Sequence, residues 1–211
     1  MTARPAHVAF VAGTGTEVGK TWVASAVLGR LRADRRRVSA RKPAQSFDAG
    51  EGSTDADVLA AATGETPHDV CPAHRWYARA LAPPMAAAAL GAPAFAVRDL
   101  VEELDWPDGV DVGLVEGAGG PRSPIAADGD NVALAGAIAP DLVLLVADAG
   151  LGVINAVRLS VDAFAPAPVV VVLNRYDTTD AVHQCSRDWL TARDGFDVVV
   201  GPEAATARIV P

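Results

Sequence analysis

Residues 13–21 read Gly-Thr-Gly-Thr-Glu-Val-Gly-Lys-Thr and lie between an apolar run at 7–12 and an amphipathic stretch at 19–33. The apolar run predicts a buried strand, and the amphipathic stretch predicts a helix. Glycine-rich backbone between a strand and the start of a helix directs N–H groups toward a phosphate. The loop therefore predicts a P-loop, in which Lys20 reaches the β- and γ-phosphates and the Thr21 hydroxyl binds Mg²⁺.

The spacing of this loop differs from the commonest P-loop pattern, because Thr14 stands six residues before Lys20, where that pattern has glycine. The chain contains sixteen arginines but only two lysines, and the second lysine, Lys42, follows a predicted strand near 37–41. A lysine ammonium is a compact point charge, which binds phosphate oxygens where a planar guanidinium is too bulky. We therefore predict that both lysines are catalytic residues.

Apolar runs and helical stretches alternate along the rest of the chain. Buried strands are predicted at 110–115, 141–147, 168–173 and 197–200. Helices are predicted at 55–63, 83–90, 97–105, 131–138, 151–164 and 181–193. The repeated order of strand and helix indicates right-handed crossovers and a mostly parallel sheet with helices on both faces. We predict a single α/β domain over residues 1–211, with a three-layer P-loop NTPase-type fold whose ligands bind at the carboxyl ends of the strands.

The composition limits the partners and the location of the protein. A net charge of −8 argues against binding to nucleic acid or to an anionic membrane surface. No apolar run approaches the ~18 residues of a membrane-spanning helix, and the run at 7–12 is too short for a signal-peptide core. Cys71 and Cys185 lack the spacing of metal ligands. These features predict a cytoplasmic protein with reduced thiols.

Two carboxylates are candidates for holding the metal. Glu116 ends a predicted buried strand and is followed by Gly117-Ala118-Gly119-Gly120, which lets a ligand approach the backbone. This arrangement is typical of an acid that holds Mg²⁺ in nucleotide enzymes. Asp55 follows the loop after Lys42, where it is a second metal ligand, the N-cap of a helix or a surface charge. The predicted metal ligands are thus Thr21, Asp55 and Glu116.

Several motifs in a fixed order resemble the dethiobiotin synthetase family, and they span about residues 7–175. They are TGTEVGKT at 14–21, Lys42-Pro43 with Ser46, Asp55, LAPPMAAA at 81–88, VEGAGG at 115–120, LGVIN at 151–155 and Asn174. Partition ATPases of the same superfamily carry an additional lysine early in the loop. This chain has Ala12-Gly13-Thr14 there, which argues against that class.

The resemblance implies an ATP-dependent cyclo-ligase of biotin biosynthesis. Its substrates would be 7,8-diaminononanoate, CO₂ or bicarbonate, and ATP as co-substrate, with Mg²⁺ as cofactor. An amine takes up CO₂ as a carbamate, ATP phosphorylates the carbamate, and the second amine closes the ring to form dethiobiotin, ADP and phosphate. The resemblance also implies a homodimer, because family members bind the acid tail of the substrate across a subunit interface.

The resemblance also assigns residues to ligands, position by position. The predicted nucleotide-binding residues are Thr16, Glu17, Val18, Gly19, Lys20, Thr21, Trp22, Asp55, Glu116, Gly117, Ala118, Gly119 and Asn174, the last of which would read adenine. The predicted substrate-binding residues are Lys42, Ser46, Gly152 and Asn155. Lys42 and Ser46 would contact the amine and its carbamate, and the start of the helix at 151–164 would face the substrate carboxylate.

The chain departs from the family pattern mainly in the substrate half. Phe47 stands in place of glycine, Pro84 and Ala156 in place of histidine, Pro121-Arg122 in place of apolar residues, and Arg175 in place of aspartate. Arg122 is either a new anion contact or an exposed loop residue. Two other functions therefore remain open from the sequence: a related P-loop ligase or kinase with another carboxylate or amine acceptor, and a nucleotide-dependent switch ATPase.

Overall fold

The computed structural model describes residues 4–50 and 52–209. Ten strands are present in this part of the chain: β1 His7–Gly13, β2 Val38–Arg41, β3 Gln45–Ser46, β4 Trp76–Tyr77, β5 Val112–Glu116, β6 Pro124–Ala126, β7 Gly129–Asp130, β8 Leu142–Asp148, β9 Val169–Asn174 and β10 Asp197–Val200. The α-helices are α1 Lys20–Ala33, α2 Asp55–Thr63, α3 Pro67–Val70, α4 Pro83–Ala89, α5 Val97–Glu102, α6 Asn131–Ile138, α7 Val153–Phe164, α8 Ala181–Ala192 and α9 Gly201–Ile209.

Six of the strands form one parallel sheet in the order β10-β9-β8-β1-β5-β2. These are the six strands predicted from the sequence, and their ends differ from the prediction by two residues at most. Two short pairs lie outside the sheet: β3 pairs with β4 in parallel, and β6 pairs with β7 in antiparallel orientation. The predicted mostly parallel sheet is confirmed.

The sheet lies between two hydrophobic cores. Alternate residues of β1 enter different cores: Val8, Phe10 and Ala12 pack on one face, and Ala9 and Val11 pack on the other. Helices α4 to α8 cover the first face, whereas α1, α2 and α9 cover the second. Burial on both faces explains why the strands read as continuous apolar runs rather than alternating ones. The predicted three-layer α/β architecture is therefore confirmed.

The differences from the prediction are confined to short or proline-containing elements. The pairs β3–β4 and β6–β7 have two or three residues per strand, too few to show a periodic pattern. Helix α9 was missed because it opens with Gly201-Pro202, which resembles a turn, although proline is tolerated in the first turn of a helix. Helix α5 ends at Glu102, three residues before the predicted end.

The carboxyl ends of the central strands meet at one edge of the sheet. Val11 of β1 lies opposite Glu116 of β5, and Asp148 of β8 lies opposite Asn174 of β9. The predicted site residues at strand ends therefore share this edge, as expected for open α/β sheets. Within residues 4–50 and 52–209, the helices are too short or too polar to cross a membrane. The single-domain boundary at 1–211 stays a prediction.

The close approach of a tryptophan to β5 gives a test of the core. A Cβ added at Gly113 would lie 2.8 Å from the Trp106 ring and 2.6 Å from Pro5 Cγ. Gly113→Ala is expected to lower the free energy of unfolding by about 1–3 kcal/mol, because the buried ring has to move. The control is Gly136→Ala in α6, where an added Cβ meets open space and a small gain is expected. Urea unfolding measures both variants, and equal effects would contradict the prediction.

Candidate active site

The P-loop connects β1 to α1 and carries a strained turn. Gly19 precedes α1 with φ +90°, and Glu17 has φ +58°, both in the left-handed region. An added Cβ at Gly19 would collide with the Asn174 amide, so glycine is required for both backbone angle and space. The Asn174 Nδ2 group donates to the Val18 carbonyl at 2.9 Å, which fixes the loop against the end of β9.

Lys20 lies along the inside of this loop. Its side chain is mostly buried, and the Nζ atom donates to the Gly15 carbonyl at 3.0 Å. Burial, together with the positive charge of Lys42, lowers the pKa of Lys20 to about 8. A neighbouring anion would favour the charged form, so the charge of Lys20 depends on what binds beside it.

Thr21, Lys42, Asp55 and Glu116 form one polar cluster beneath the loop. The Thr21 hydroxyl lies 2.8 Å from Asp55 Oδ1 and 2.9 Å from Glu116 Oε1, and its single hydrogen can serve either carboxylate. The Lys42 Nζ atom lies 2.7 Å from Asp55 Oδ2 and 2.6 Å from Glu116 Oε1, and it also donates to the Gly117 carbonyl at 3.1 Å. One ammonium thus bridges the two carboxylates that the sequence assigns to the metal.

The charges in this cluster depend on one another. Full burial by itself lowers the pKa of Lys42, but the negative charges of Asp55 and Glu116 outweigh burial and hold that pKa above its usual value. The Lys42 charge lowers the pKa of Asp55 to about 2. Complete burial raises the pKa of Glu116 despite the nearby ammonium. The cluster therefore combines a fixed cation with one strongly acidic and one deeply buried carboxyl group.

Two buried amide side chains hold the loops that carry the cluster, and the motifs did not predict either. Gln45 of β3 donates to the Thr54 hydroxyl at 3.2 Å and accepts from the Ala56 N–H at 3.0 Å. These two hydrogen bonds fix the first turn of α2 on both sides of Asp55. Thr54 is the N-cap of α2 in a capping box, so the N-cap interpretation of Asp55 is wrong.

Asn131, the first residue of α6, is the second of these amides. Its Nδ2 group donates to the carbonyls of Ala118 at 2.6 Å and Gly120 at 2.8 Å, and its Oδ1 atom accepts from the Ala118 N–H at 3.1 Å. These bonds shape the glycine loop after Glu116. No residue spacing marks an amide for this role, because its partners are backbone groups that only the fold brings near.

The oxygen atoms of the cluster suit a hard divalent cation. Glu116 Oε2 is buried and has no hydrogen-bond partner among residues 4–50 and 52–209. Buried polar atoms normally have a partner, and a cation could fill that role here. Two carboxylates and a threonine hydroxyl are typical ligands of Mg²⁺, which takes its other ligands from water and phosphate. The described residues contain no cluster of three or more His, Cys, Asp or Glu side chains that could hold a metal without such help.

A cleft of about 560 Å³ opens above the cluster, and a second cavity of about 570 Å³ lies next to it. The predicted residues that line the cleft are Thr16, Glu17, Gly19, Lys20, Thr21, Trp22, Lys42, Ser46, Asp55, Ala118 and Gly119. Asn174 lines the second cavity, and the two cavities share Gly19, Trp22 and Arg175. Most predicted nucleotide-binding residues are thus brought together.

Comparison with known sequences identifies the family of the chain. A family described as "AAA domain" matches residues 7–199. The ATP-dependent dethiobiotin synthetase BioD of Rhodococcus jostii (strain RHA1) is 36% identical over 209 residues, which cover 96% of this chain and 88% of that protein. The chain belongs to the family of ATP-dependent dethiobiotin synthetases. The enzyme of that name from Caulobacter vibrioides (strain NA1000 / CB15N) is 43% identical over 150 residues, 68% of this chain and 67% of its own length.

Solved structures support the fold of this dethiobiotin synthetase family member. Chloroplast FtsY from Physcomitrella patens superposes with a TM-score of 0.57 at 18% identity, covering 100% of this chain and 67% of that chain. At this level of identity, the likeness concerns the fold alone. It agrees with the P-loop NTPase-type fold predicted from the sequence.

Two residues predicted to bind substrate lie outside the cleft. Gly152 caps the start of α7 with φ +97°, beside the almost fully exposed Leu151. Asn155 lines a separate groove of about 680 Å³ together with Arg122 and Thr14. Within its described residues, the chain therefore does not bring Gly152 and Asn155 to Lys42.

Three of the departures from the dethiobiotin synthetase pattern have visible contacts. Phe47 lines the cleft, and its ring meets Trp76 edge-on at a centroid distance of 6.0 Å. Arg122 is exposed and pairs with Asp130 at 3.1 Å, as an ordinary loop arginine does.

Arg175 donates to the Glu17 carbonyl at 2.8 Å and pairs with Asp148 at 2.6 Å. It therefore ties the P-loop to the end of β8.

The bridging role of Lys42 can be tested without substrate. Lys42→Met is expected to lower the free energy of unfolding by about 3 kcal/mol, because it leaves the buried Glu116 without its cation. Millimolar Mg²⁺ should restore more stability to this variant than to the wild type, since the freed carboxylates can bind it. Urea unfolding with and without Mg²⁺ measures both effects.

The control is Arg208→Met, which breaks an exposed pair with Asp197 and should change stability much less. An equal effect of Mg²⁺ on Lys42→Met and on the wild type would show that the ammonium and the metal do not share the two carboxylates.

Proposed function

We propose that the protein is a Mg²⁺- and ATP-dependent cyclo-ligase that forms dethiobiotin from 7,8-diaminononanoate and CO₂. The observation that carries the proposal is the buried Lys42 ammonium, which lies beside the P-loop lysine and contacts both candidate metal ligands. A nucleotide switch needs no second lysine in this position. A ligase that crowds a carbamate against a γ-phosphate needs two cations to offset the repulsion of the anions.

The nucleotide is proposed to lie along both cavities. The N–H groups of the P-loop and the Lys20 ammonium would hold the triphosphate at the start of α1. In the second cavity, the Nδ2 group of Asn174 is already bound to the Val18 carbonyl. One of its two hydrogens is thus occupied, whereas the amide oxygen is free to accept, and an acceptor at this point favours the exocyclic amino group of adenine over the carbonyl of guanine.

Thr21, Asp55 and Glu116 are proposed to hold Mg²⁺, on the strength of the buried and unpartnered Glu116 Oε2 atom. When bound, the ion would neutralise charge on the β- and γ-phosphates. Thr21 and the two carboxylates would fix the position of the ion. Lys42 would compensate the negative charge of Glu116 in the buried site.

The acceptor is proposed to lie in the cleft beside Lys42 and Ser46. The Ser46 hydroxyl donates to the Leu81 carbonyl at 2.5 Å, which leaves its oxygen free to accept from a substrate amine. One amine adds CO₂ to form a carbamate, and a carbamate oxygen attacks the γ-phosphorus while ADP leaves. The second amine then attacks the carbonyl carbon, the C–O bond to phosphate breaks, and the ureido ring closes.

Gly152 and Asn155 are proposed to act from a second subunit. They lie away from the cleft of their own chain, next to a separate groove and the exposed Leu151. A homodimer in which the start of α7 faces the partner's cleft would let its N–H groups meet the substrate carboxylate. A cytoplasmic location, predicted from the sequence, suits this small-molecule reaction and stays a prediction.

The reaction itself is the first test. With 7,8-diaminononanoate, bicarbonate and Mg-ATP, the protein is expected to release phosphate and dethiobiotin in equal amounts. Lys42→Met should lower the rate of dethiobiotin formation by about 100-fold or more while ATP still binds, because one cation of the reacting site is lost. Phosphate release, mass spectrometry of the product and calorimetry of ATP binding measure these effects.

The alternatives predict different outcomes. ATP turnover without dethiobiotin, together with failure to complement a biotin auxotroph, would favour a ligase or kinase with another acceptor. If Lys42→Ala leaves ATP turnover unchanged while Lys20→Ala abolishes it, the switch ATPase is favoured.

The shared site can be tested with pairs of variants. Lys42→Met and Asn155→Ala should each be weakly active alone, but a co-expressed mixed dimer should recover activity, since one of its two sites contains both native residues. Differently tagged subunits allow the mixed dimer to be purified and assayed. Absence of recovery in a verified mixed dimer, or sedimentation as a monomer, would contradict the proposal.

A further inference from the structure

The two adjacent cavities, which share Gly19, Trp22 and Arg175, differ in charge. The cleft is lined by both lysines of the chain, by the Thr21 hydroxyl and by the Asp55 carboxylate. The second cavity is lined by Leu173, Tyr176 and Val200, with Asn174 and Arg175 as its polar side chains. A nucleoside triphosphate has the same division, with a highly charged end and an uncharged aromatic end. The cavities therefore suit one molecule that extends from the lysines to the apolar walls.

Trp22 stands at the boundary of the two cavities. It is the third residue of α1, and it lines both the cleft and the second cavity. Its side chain is 56% exposed, although its neighbour Val23 is fully buried in the core. Among the described residues that line these cavities, no other aromatic side chain borders both: Phe47 lines the cleft, and Tyr176 lines the second cavity.

We propose that the Trp22 indole stacks on the base of the bound nucleoside triphosphate and is a specificity-determining residue for nucleosides over inorganic polyphosphate. The inference rests on the proposed function only in that the site takes a nucleotide. It adds a contact to the uncharged end of the ligand, which the P-loop residues around Trp22 cannot supply.

Stacking follows from the chemistry of the boundary. Trp22 lies between the charged cleft and Asn174, so a ligand that extends from one to the other places its base next to the exposed indole. Flat aromatic surfaces attract each other in offset or stacked geometry. The polar side chain on the same boundary, Arg175, is already bound to the Glu17 carbonyl and to Asp148. The Trp22 indole, in contrast, makes no hydrogen bond to another described residue, so its ring is not held in one orientation. A purine offers it a larger surface than a pyrimidine.

The expected effect is selective for the base. Base stacking on an aromatic residue corresponds to about a ten-fold or greater loss of affinity on replacement by alanine. Trp22→Ala should therefore raise the dissociation constant for ADP and ATP by about ten-fold, whereas tripolyphosphate binding stays unchanged. Trp22→Phe should retain most of the nucleotide affinity, because the aromatic face is kept.

Calorimetry and tryptophan fluorescence test the proposal on the full chain. ADP should quench the fluorescence of the wild type, tripolyphosphate should not, and Trp22→Phe should remove the quenching. The control is Trp189→Phe, which replaces a similarly exposed indole on α8, outside both cavities, and should keep the quenching. Equal losses of ADP and tripolyphosphate affinity in Trp22→Ala, or quenching that survives in Trp22→Phe, would overturn the proposal.

These measurements are independent of the product. If no dethiobiotin forms but Trp22→Ala still weakens ADP selectively, the proposed reaction fails and the stacking role stands. If dethiobiotin forms and Trp22→Ala binds ADP as tightly as the wild type does, the stacking role fails and the reaction stands.

Discussion

A buried ammonium has to be compensated by nearby negative charge, and Lys42 meets this requirement through Asp55 and Glu116. Moving an unpaired charge into a protein interior costs several kcal/mol, so the three groups depend on one another. Asp55 begins α2, Glu116 ends β5, and Lys42 follows β2. The contact therefore links three elements at one edge of the sheet, and the P-loop lies directly above it through Thr21.

The surrounding loops are held so that this contact is maintained. Gln45 binds the first turn of α2 on both sides of Asp55, and Asn131 binds the glycine loop after Glu116. On the other side, Asn174 and Arg175 bind the carbonyls of Val18 and Glu17 in the P-loop. Asn131, Asn174 and Arg175 hydrogen-bond to backbone groups of loops, whereas Gln45 binds the start of a helix. These hydrogen bonds hold the segments around the cluster in place, as a preorganised electrostatic site requires.

The departures from the family pattern affect the two halves of the cleft differently. Arg175, which stands where the family has aspartate, links the P-loop to the end of β8 through the Glu17 carbonyl and Asp148. Phe47 lines the cleft next to Ser46, and its ring packs edge-on against Trp76. Both residues line the cleft, and each is held there by contacts within this chain.

The amino-acid sequence by itself determined the six central strands, most helices, the P-loop with Lys20 and the family. These features depend on local patterns, namely apolar runs, helical periodicity and short motifs, which need no knowledge of distant contacts. Only the tertiary structure decided that Lys42 bridges Asp55 and Glu116, that Gln45 and Asn131 hold the loops, and that Gly152 and Asn155 lie away from the cleft. The physical reason is distance along the chain: Lys42 and Glu116 are 74 residues apart, so their contact exists only after the sheet has brought two strand ends together.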